Sequence, residues 1–468
     1  MKRRLVKKIG AAILLAILFL VTLIYAPIWD IAPPDVSDLA VVRTEVPPEE
    51  NAYACFLQAT NELYEPPNFS LFEYFHGQTN DDALVSAVIA TNQAVIAWIK
   101  LGVERPFCQK PDIANNLGPV GRFLEIGALL ATRARFERIQ GQVREATDAT
   151  LLLMQYGSRL HQASSLFVEY VAANCVIDMG LTQAAEQVRD KRCGIAERER
   201  LTAALAELSF ANQGLAKSAR GEHVFCTELL EQTRSGRAFL NYADYFGVSK
   251  FKRTILKLVA QFVCLPSYLM QYNRTRHLMT KDYRLLVAHA GTAYANHPLR
   301  GDNTTEVSSD NVSEADGLLA THSRTHRSKW PFANALGLRL HMSYDQRKTL
   351  NGVVLSACKV ECKLSAVRLL LACRAYEEAT GHLPETLEAL VPDYLPAVPR
   401  DPFDGQPFRY SAEQRIVYSV GENLTDDGGT RDYREDKRRR PKDLIFGLFT
   451  HESEPPNTGL PVLKQENS

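Results

Sequence analysis

An uncharged apolar run near the N-terminus constrains this 468-residue chain more than any other feature. The run extends from Ile9 to Trp29, and five Lys or Arg residues precede it without an acidic residue. As a helix, these 21 residues span about 31 Å, close to the roughly 30 Å of a bilayer hydrocarbon core. The basic flank predicts that the N-terminus stays in the cytoplasm and that the bulk of the chain lies across the membrane. Residues 1–29 are therefore predicted to form a basic tip and a transmembrane helix.

A cleaved signal peptide is the alternative interpretation of the same run. Signal cleavage favours small residues at positions −3 and −1. The most suitable site follows Ala26, and it places Ile24 at −3 and Pro27 directly after the cut. Both residues disfavour cleavage, so we expect an uncleaved anchor. The prolines in and beside residues 30–48 then predict a stiff spacer between the membrane and the folded part.

Composition places the rest of the chain among ordinary globular proteins, because 46% of all residues are hydrophobic and 23% are charged. A chain of this length predicts about two domains. The 54 Lys and Arg equal the 54 Asp and Glu in number, and five of the cations precede the apolar run, so the remainder is net acidic. This charge argues against nucleic acid as a partner, since phosphate binding needs a concentrated basic face. Nine scattered cysteines without a C-x-x-C pair do not indicate a disulfide scaffold.

Hydrophobic periodicity predicts an irregular multi-helix domain over residues 49–296. The predicted helices cover 119–139, 143–161, 164–188 and 196–217, and a further helical pattern covers 248–290. Asp81 and Asp82 favour a helix start, because side-chain oxygens cap free N–H groups, whereas Gly141 predicts a break. A polar stretch predicts a loop over 297–330, and residues 448–468 are predicted to be a disordered tail.

The region from 331 to 447 predicts a small α+β module. Apolar residues recur at spacings of three and four between Gln346 and Thr380, which predicts one long helix. Gly381 is suited to end that helix in a left-handed conformation. Beyond a proline-flanked turn the pattern changes to strands and tight turns, which predicts a short antiparallel sheet. The whole chain is thus predicted to be mainly α, with an N-terminal transmembrane helix, a helical domain and this module.

The order of motifs in the module resembles the C-terminal half of the major pseudopilins of type II secretion systems. The motifs are L-P-E-T-L-E-A-L at 383–390, D-P-F-D-G-Q-P-F-R-Y at 401–410, G-E-N-L-T-D-D-G-G at 421–429 and an Asp-Leu pair at 443–444. The resemblance covers about residues 360–447 and implies a protein of the bacterial inner membrane with its bulk in the periplasm. It does not extend to the N-terminus, where Ala11 follows Gly10 in place of the family's peptidase site. We therefore do not expect a filament subunit.

The resemblance also implies a structural calcium ion in the acidic loop. By motif position its ligands would be Asn423, Asp426, Asp427 and Asp443, joined by backbone carbonyls near Ser419 and Val420. Calcium takes six to eight oxygen ligands, and carboxylates on a flexible glycine-rich loop can supply them. The alternative is an ordinary solvated acidic turn. Asn423 stands where the family has Asp, which removes one charge, and the basic run at 437–440 would weaken a cation site.

Catalytic signatures are missing from the sequence: it carries no nucleophile elbow, phosphate loop, H-E-x-x-H helix or dinucleotide fingerprint. The most concentrated polar cluster, Arg220–His223, is predicted to be a solvated helix start. We expect a single-pass envelope protein with a calcium-stabilised module, acting in protein interaction or in envelope and secretion organisation. The alternative is a membrane-anchored periplasmic hydrolase with a site between the helical domain and the C-terminal module. The specific partner, the substrate and the oligomeric state stay open.

Overall fold

The structure is a computed structural model that describes residues 10, 12–21, 30–41, 45–66, 69–79, 81–111, 119–208, 213–234, 271–300, 346–429 and 443–448. This part of the chain is mainly helical, with a three-stranded antiparallel sheet near the C-terminus. The prediction of a mainly α fold with a short antiparallel sheet is therefore confirmed. Most of the loop predicted at 297–330 and nearly all of the tail predicted at 448–468 lie outside the described residues.

The described helices and strands follow the sequence pattern closely in most places. The helices are α1 (Ala12–Val21), α2 (Ala52–Glu62), α3 (Leu71–Phe75), α4 (Asp82–Thr91), α5 (Gln93–Val103), α6 (Val120–Ile139), α7 (Val143–Ala163), α8 (Phe167–Arg189), α9 (Ile195–Glu207), α10 (Gln213–Arg234), α11 (Tyr272–Ala288) and α12 (Gln346–Thr380). The strands are β1 (Arg409–Ser411), β2 (Ile416–Ser419) and β3 (Leu444–Gly447), in the order β1-β2-β3. The long helix α12 has the predicted bounds.

Single residues set several of these helix ends. The Asp81 carboxylate accepts the N–H of Leu84 at 3.0 Å and caps α4, as predicted. Gly141 has a φ of +78° between α6 and α7, and Gly381 has a φ of +81° directly after α12. Residues with a Cβ rarely adopt that left-handed conformation, so glycine marks both breaks.

The chain divides into two units, each built from separate stretches of sequence. The first unit comprises Met1–Val41, Arg220–Ala288 and Leu299–Asn351, and the second comprises Val42–Ala219, His289–Pro298 and Gly352–Ser468. Most of the predicted helical domain and most of the predicted C-terminal module therefore belong to one unit, the second.

Close helix packing builds the core of the second unit around α6, α7 and α8. A Cβ on Gly157 would lie 2.8 Å from Cγ1 of Ile177, so only glycine allows α7 to approach α8 this closely. The buried Gln187 amide on α8 donates to the Thr150 hydroxyl at 2.6 Å and to the Ala146 carbonyl at 2.9 Å on α7. Small residues and satisfied polar groups together keep the two helices in contact.

The helix α12 connects the helical part of the second unit to the sheet. Lys363 donates to Asp178 on α8 at 2.8 Å, and Arg368 donates to the carbonyl of Leu208, just beyond α9, at 2.9 Å. At the other end of the module, Arg189 of α8 donates to the carbonyl of Gly447 on β3 at 2.9 Å. These hydrogen bonds join the module to α8 and to the residue that follows α9.

The predicted transmembrane helix is represented by α1, a short apolar helix. Residues 1–9, 11 and 22–29 of the predicted anchor lie outside the described residues. Among the helices that the structure describes, none is by itself long and apolar enough to cross a membrane. The bent pair α4–α5 passes the same test only as a pair, with a 59° bend, and its residues Val88 and Ile99 are buried in the core of the second unit.

Two local predictions were wrong. The helix predicted at 196–217 is divided into α9 and α10, although no Gly or Pro occurs between residues 195 and 213. The cluster Arg220–His223 lies in the middle of α10 instead of at a solvated helix start, and His223 is only 3% exposed. Tertiary contacts in the first unit bury it: its Nε2 lies 3.0 Å from the Thr280 hydroxyl, and its ring meets that of Tyr283.

Candidate functional site

The three-stranded sheet brings the predicted calcium ligands to one end of the C-terminal module. The strand β2 is central and fully buried, and it pairs with β1 on one side and with β3 on the other. Its last residue, Ser419, pairs with Leu444, the first residue of β3. The acidic loop, residues 420–429, leaves the end of β2 at this point, next to Asp443, which directly precedes β3.

Asp443 organises the far end of the acidic loop through backbone hydrogen bonds. Its carboxylate accepts the N–H of Asp427 at 3.1 Å and the N–H of Gly429 at 2.8 Å. Burial raises the pKa of Asp443, and the same two N–H groups act against that shift. Gly429 has a φ of +64°, a conformation that favours glycine and presents its N–H to this carboxylate.

The other three predicted ligands lie within the loop and contact each other or the backbone. The Asn423 amide nitrogen donates to the Asp427 carboxylate at 2.9 Å. Its amide oxygen accepts the N–H of Thr425 at 3.1 Å. Asp426 accepts the N–H of Gly428 at 2.9 Å, and its carboxylate is half-exposed. The structure therefore places three of the four predicted side chains on the acidic loop and the fourth, that of Asp443, beside it.

A fully buried carboxylate, Asp401, holds the near end of the loop, and the sequence analysis missed it. Asp401 accepts the Ser419 hydroxyl at 2.9 Å, the N–H of Val420 at 3.0 Å and the N–H of Phe403 at 2.9 Å. Burial raises the pKa of Asp401, although these three donors act against the shift. The Ser419 hydroxyl in turn accepts the N–H of Gly421 at 3.1 Å, so the first residues of the loop are held through Asp401.

A single guanidinium connects this buried carboxylate to the acidic loop. Arg409 on β1 donates to Asp401 at 3.0 Å and to both oxygens of Asp404. Its Nε also lies 3.6 Å from the carboxylate of Asp426. The ion pairs with Asp404 raise the pKa of Arg409, which stays charged in any case. The module therefore carries its own cation beside the acidic loop.

In this arrangement the side chains of the acidic loop are held by internal hydrogen bonds. Calcium ligands present several oxygen atoms to one point, but both oxygens of Asp443 face backbone N–H groups. The side chain of Asn423 turns its amide nitrogen, not its oxygen, toward Asp427. Among the residues that the structure describes, no three His, Cys, Asp or Glu side chains are grouped to hold a metal ion. Calcium binding stays a prediction of the resemblance, and the loop has an internal cation in Arg409.

The sequence signal for this network is the motif at 401–410, which contains Asp401, Asp404 and Arg409 and is typical of a turn that leads into a strand. The turn is real, because Gly405 donates its N–H to the Asp401 carbonyl at 2.7 Å and has a φ of +78°. Two partners of Asp401, Ser419 at the end of β2 and Val420 at the start of the acidic loop, lie 18 and 19 residues further along the chain, and no short motif spans that separation.

In the second unit a small apolar cavity is lined mainly by aromatic and aliphatic side chains, among them Tyr53, Phe123 and Leu160. Its one acidic lining residue, Glu169, is paired with the buried Lys110 at 2.6 Å. Glu169 also accepts the N–H of Ser165 and so caps α8. The one acidic side chain of this cavity is therefore already engaged in an ion pair and in a backbone hydrogen bond.

Comparison with known protein families, with characterised proteins and with solved structures found no match to this chain.

Proposed function

We propose that this protein is a single-pass membrane protein of the bacterial envelope, with its folded part in the periplasm, and that it acts through protein interaction. The observation that carries the proposal is the exposure of α1. Its eight large apolar side chains are 45% to 68% exposed, on every side of the helix. Each such side chain gains about 1.5–3 kcal/mol when it leaves water, so a lipid environment would stabilise this helix.

The side of the membrane follows from charge. Lys and Arg residues precede the apolar run, and an acidic residue, Asp30, follows it directly. Positively charged flanks stay on the cytoplasmic side. The chain after Trp29 is therefore assigned to the periplasm, which agrees with the location that the pseudopilin resemblance implies.

The C-terminal module supports a role in binding rather than catalysis. Its polar side chains at the loop, such as Asp401 and Asp443, are engaged by backbone N–H groups. Such contacts hold a loop in one shape, which is useful in a recognition surface. The pseudopilin resemblance suggests another envelope or secretion protein as the partner. A hydrolase site between the helices and the module would need converging bases, whereas α12 meets α8 there through the ion pair of Lys363 and Asp178.

The anchor is tested by placing charge in α1 of the full chain. The double variant Leu15→Arg with Leu18→Arg adds about 2.5–3.5 kcal/mol per residue to the free energy of membrane insertion. We expect the wild-type chain to stay in carbonate-washed membranes and the double variant to be lost from them. The matched control is Leu15→Val with Leu18→Val, which keeps the helix apolar and should stay bound. Retention of the Arg variant in the membrane would overturn the proposal.

The orientation needs a separate measurement. Protease added to intact spheroplasts should digest the folded part of the wild-type chain, because that part is exposed at the outer surface of the inner membrane. Complete protection in spheroplasts, with digestion only after lysis, would place the folded part in the cytoplasm instead.

A further inference from the structure

The residues that follow the predicted anchor form a strap along α11 in the first unit. We define the strap as residues 30–39. At its start, the Asp30 carboxylate accepts the N–H of Asn273 at 2.8 Å and the N–H of Arg274 at 3.1 Å. These N–H groups belong to the first turn of α11, which has no intrahelical partners for them. An acid from a distant part of the sequence thus caps this helix.

Further contacts hold the strap parallel to α11. The Ala32 carbonyl lies 3.0 Å from Nε2 of His277, and the Asp38 carboxylate accepts two N–H groups of Arg284 at 2.7 and 2.8 Å. Strap residue Leu39 is buried. From residue 273 to residue 284 the helix rises about 16 Å, so the strap follows α11 from its first turn toward its C-terminal end.

This geometry has a consequence for the position of α11 relative to a bilayer. Asp30 directly follows Trp29, the last residue of the uncharged run. In the proposed anchor, Asp30 is therefore the residue at which the chain leaves the hydrocarbon core. Residues hydrogen-bonded to Asp30 must lie at the same depth. From the strap and this connectivity we infer that the first turn of α11 lies in the phospholipid headgroup layer on the periplasmic side, with the helix directed away from the membrane.

The side chains of that turn suit the headgroup layer. The Arg276 guanidinium lies over the Tyr272 ring, 5.5 Å from its centroid, and Arg274 is exposed. Tyrosine rings favour the membrane–water boundary, and Arg attracts the phosphate oxygens of lipids. The inference rests on the proposed anchor, and it adds a second contact between the folded part and the lipid headgroups.

Site-specific photo-crosslinking in the full chain tests this placement. Benzoylphenylalanine replaces Arg274 in one variant and Ala288 in another, both exposed positions on α11 separated by about 21 Å along the helix axis. The proteins are reconstituted in vesicles of phosphatidylethanolamine and phosphatidylglycerol that contain radiolabelled phosphatidylethanolamine. We expect labelled protein from position 274 and only background label from position 288. Equal labelling at the two positions, or none at 274, would overturn the inference.

Two controls separate this inference from the anchor itself. Carbonate washing before illumination shows whether the chain is embedded, so failure of the anchor appears as loss of protein from the vesicles, not as loss of label. In embedded protein, Asp30→Ala should lower the labelling at position 274, because the first turn of α11 is released from the strap. Unchanged labelling in that variant would contradict the role of the strap.

Discussion

The C-terminal module and the strap both use Asp carboxylates as hydrogen-bond acceptors, but the two carboxylates compared below differ in burial. Asp401 in the module is fully buried and accepts hydrogen bonds from two backbone N–H groups, a hydroxyl and an arginine. Asp38 in the strap is half-exposed and accepts its hydrogen bonds from one arginine. Donors that lose an exposed acceptor turn to water, whereas buried donors are left unsatisfied. The module should therefore depend far more strongly on its carboxylates than the strap does.

The largest effect is expected at Asp401. The variant Asp401→Asn keeps the size of the side chain but turns an amide N–H toward groups that are donors themselves. We expect the free energy of unfolding to fall by about 3 kcal/mol or more, because buried donors and Arg409 lose their acceptor. Hydrogen exchange of the β2 amides in the full chain measures this loss. Asp404→Asn is the matched control, since Asp404 shares Arg409 but is partly exposed, and it should cost about 1 kcal/mol or less.

A variant at Asp443 distinguishes a loop held by internal hydrogen bonds from a loop that binds calcium. Asp443→Asn should cost about 1–3 kcal/mol, since fewer lone pairs face the N–H groups of Asp427 and Gly429. From the geometry we expect the same loss in millimolar calcium and in chelator, measured by thermal unfolding of the full chain. If the resemblance predicts the loop correctly, calcium at a hundredfold its Kd stabilises the wild type by about 2.7 kcal/mol. That stabilisation would disappear in the variant, and it would show that the loop rearranges around the ion.

A pH effect is expected in the first unit, which contains the strap. Burial lowers the pKa of His223 to about 4, and Arg276 and Arg284 act in the same direction, whereas Asp38 opposes them. The imidazole of His223 therefore binds a proton near pH 6.5 in the unfolded chain but only near pH 4 in the folded chain. The free energy of unfolding falls as the pH drops through this window. Between pH 7 and pH 5 the loss should be about 1–2 kcal/mol.

The variant His223→Gln isolates this contribution. It should reduce the acid-induced rise in hydrogen exchange of α11, which packs against His223. The control is Val224→Gln, which introduces the same side chain at the next, partly exposed position of α10 and retains the imidazole. An identical pH dependence in wild type and His223→Gln would assign the acid sensitivity to other groups.

The smallest effect is expected in the strap. Asp30→Ala removes the acceptor at the first turn of α11 and should cost about 1 kcal/mol, as other lost helix caps do. Asp30→Asn retains an oxygen acceptor and should cost less. Faster hydrogen exchange confined to the first turn of α11 is the expected signature. A loss as large as that of Asp401→Asn would show that the strap carries more of the fold than its exposure indicates.

Sequence reasoning worked well where a residue acts on its own stretch of backbone. Gly141, Gly381 and Asp81 mark helix ends because φ preference and capping are local properties. The long helix α12 and the three strands follow from periodicity for the same reason. The break between α9 and α10 contains no Gly or Pro, so the apolar periodicity predicts one continuous helix there.

The candidate site was only half predictable. Motif positions group Asn423, Asp426, Asp427 and Asp443, and the structure places the first three on the acidic loop and Asp443 beside it. Which oxygen atoms face outward and which accept internal hydrogen bonds depends on Asp401 and on β1. Those groups are distant in sequence, and a ligand pattern says nothing about them.

The sequence by itself determined the apolar run with its basic flank, the helical periodicity, most helix ends and the short antiparallel sheet. These features depend on near neighbours in the chain, through side-chain spacing, capping and backbone preference. Only the tertiary structure decided that Asp401 is buried and that Arg409 lies beside the acidic loop. The same holds for the burial of His223 on α10 and for the capping of α11 by Asp30. Burial, and with it the strength of every charge and hydrogen bond, is set by groups that folding brings together from distant parts of the chain.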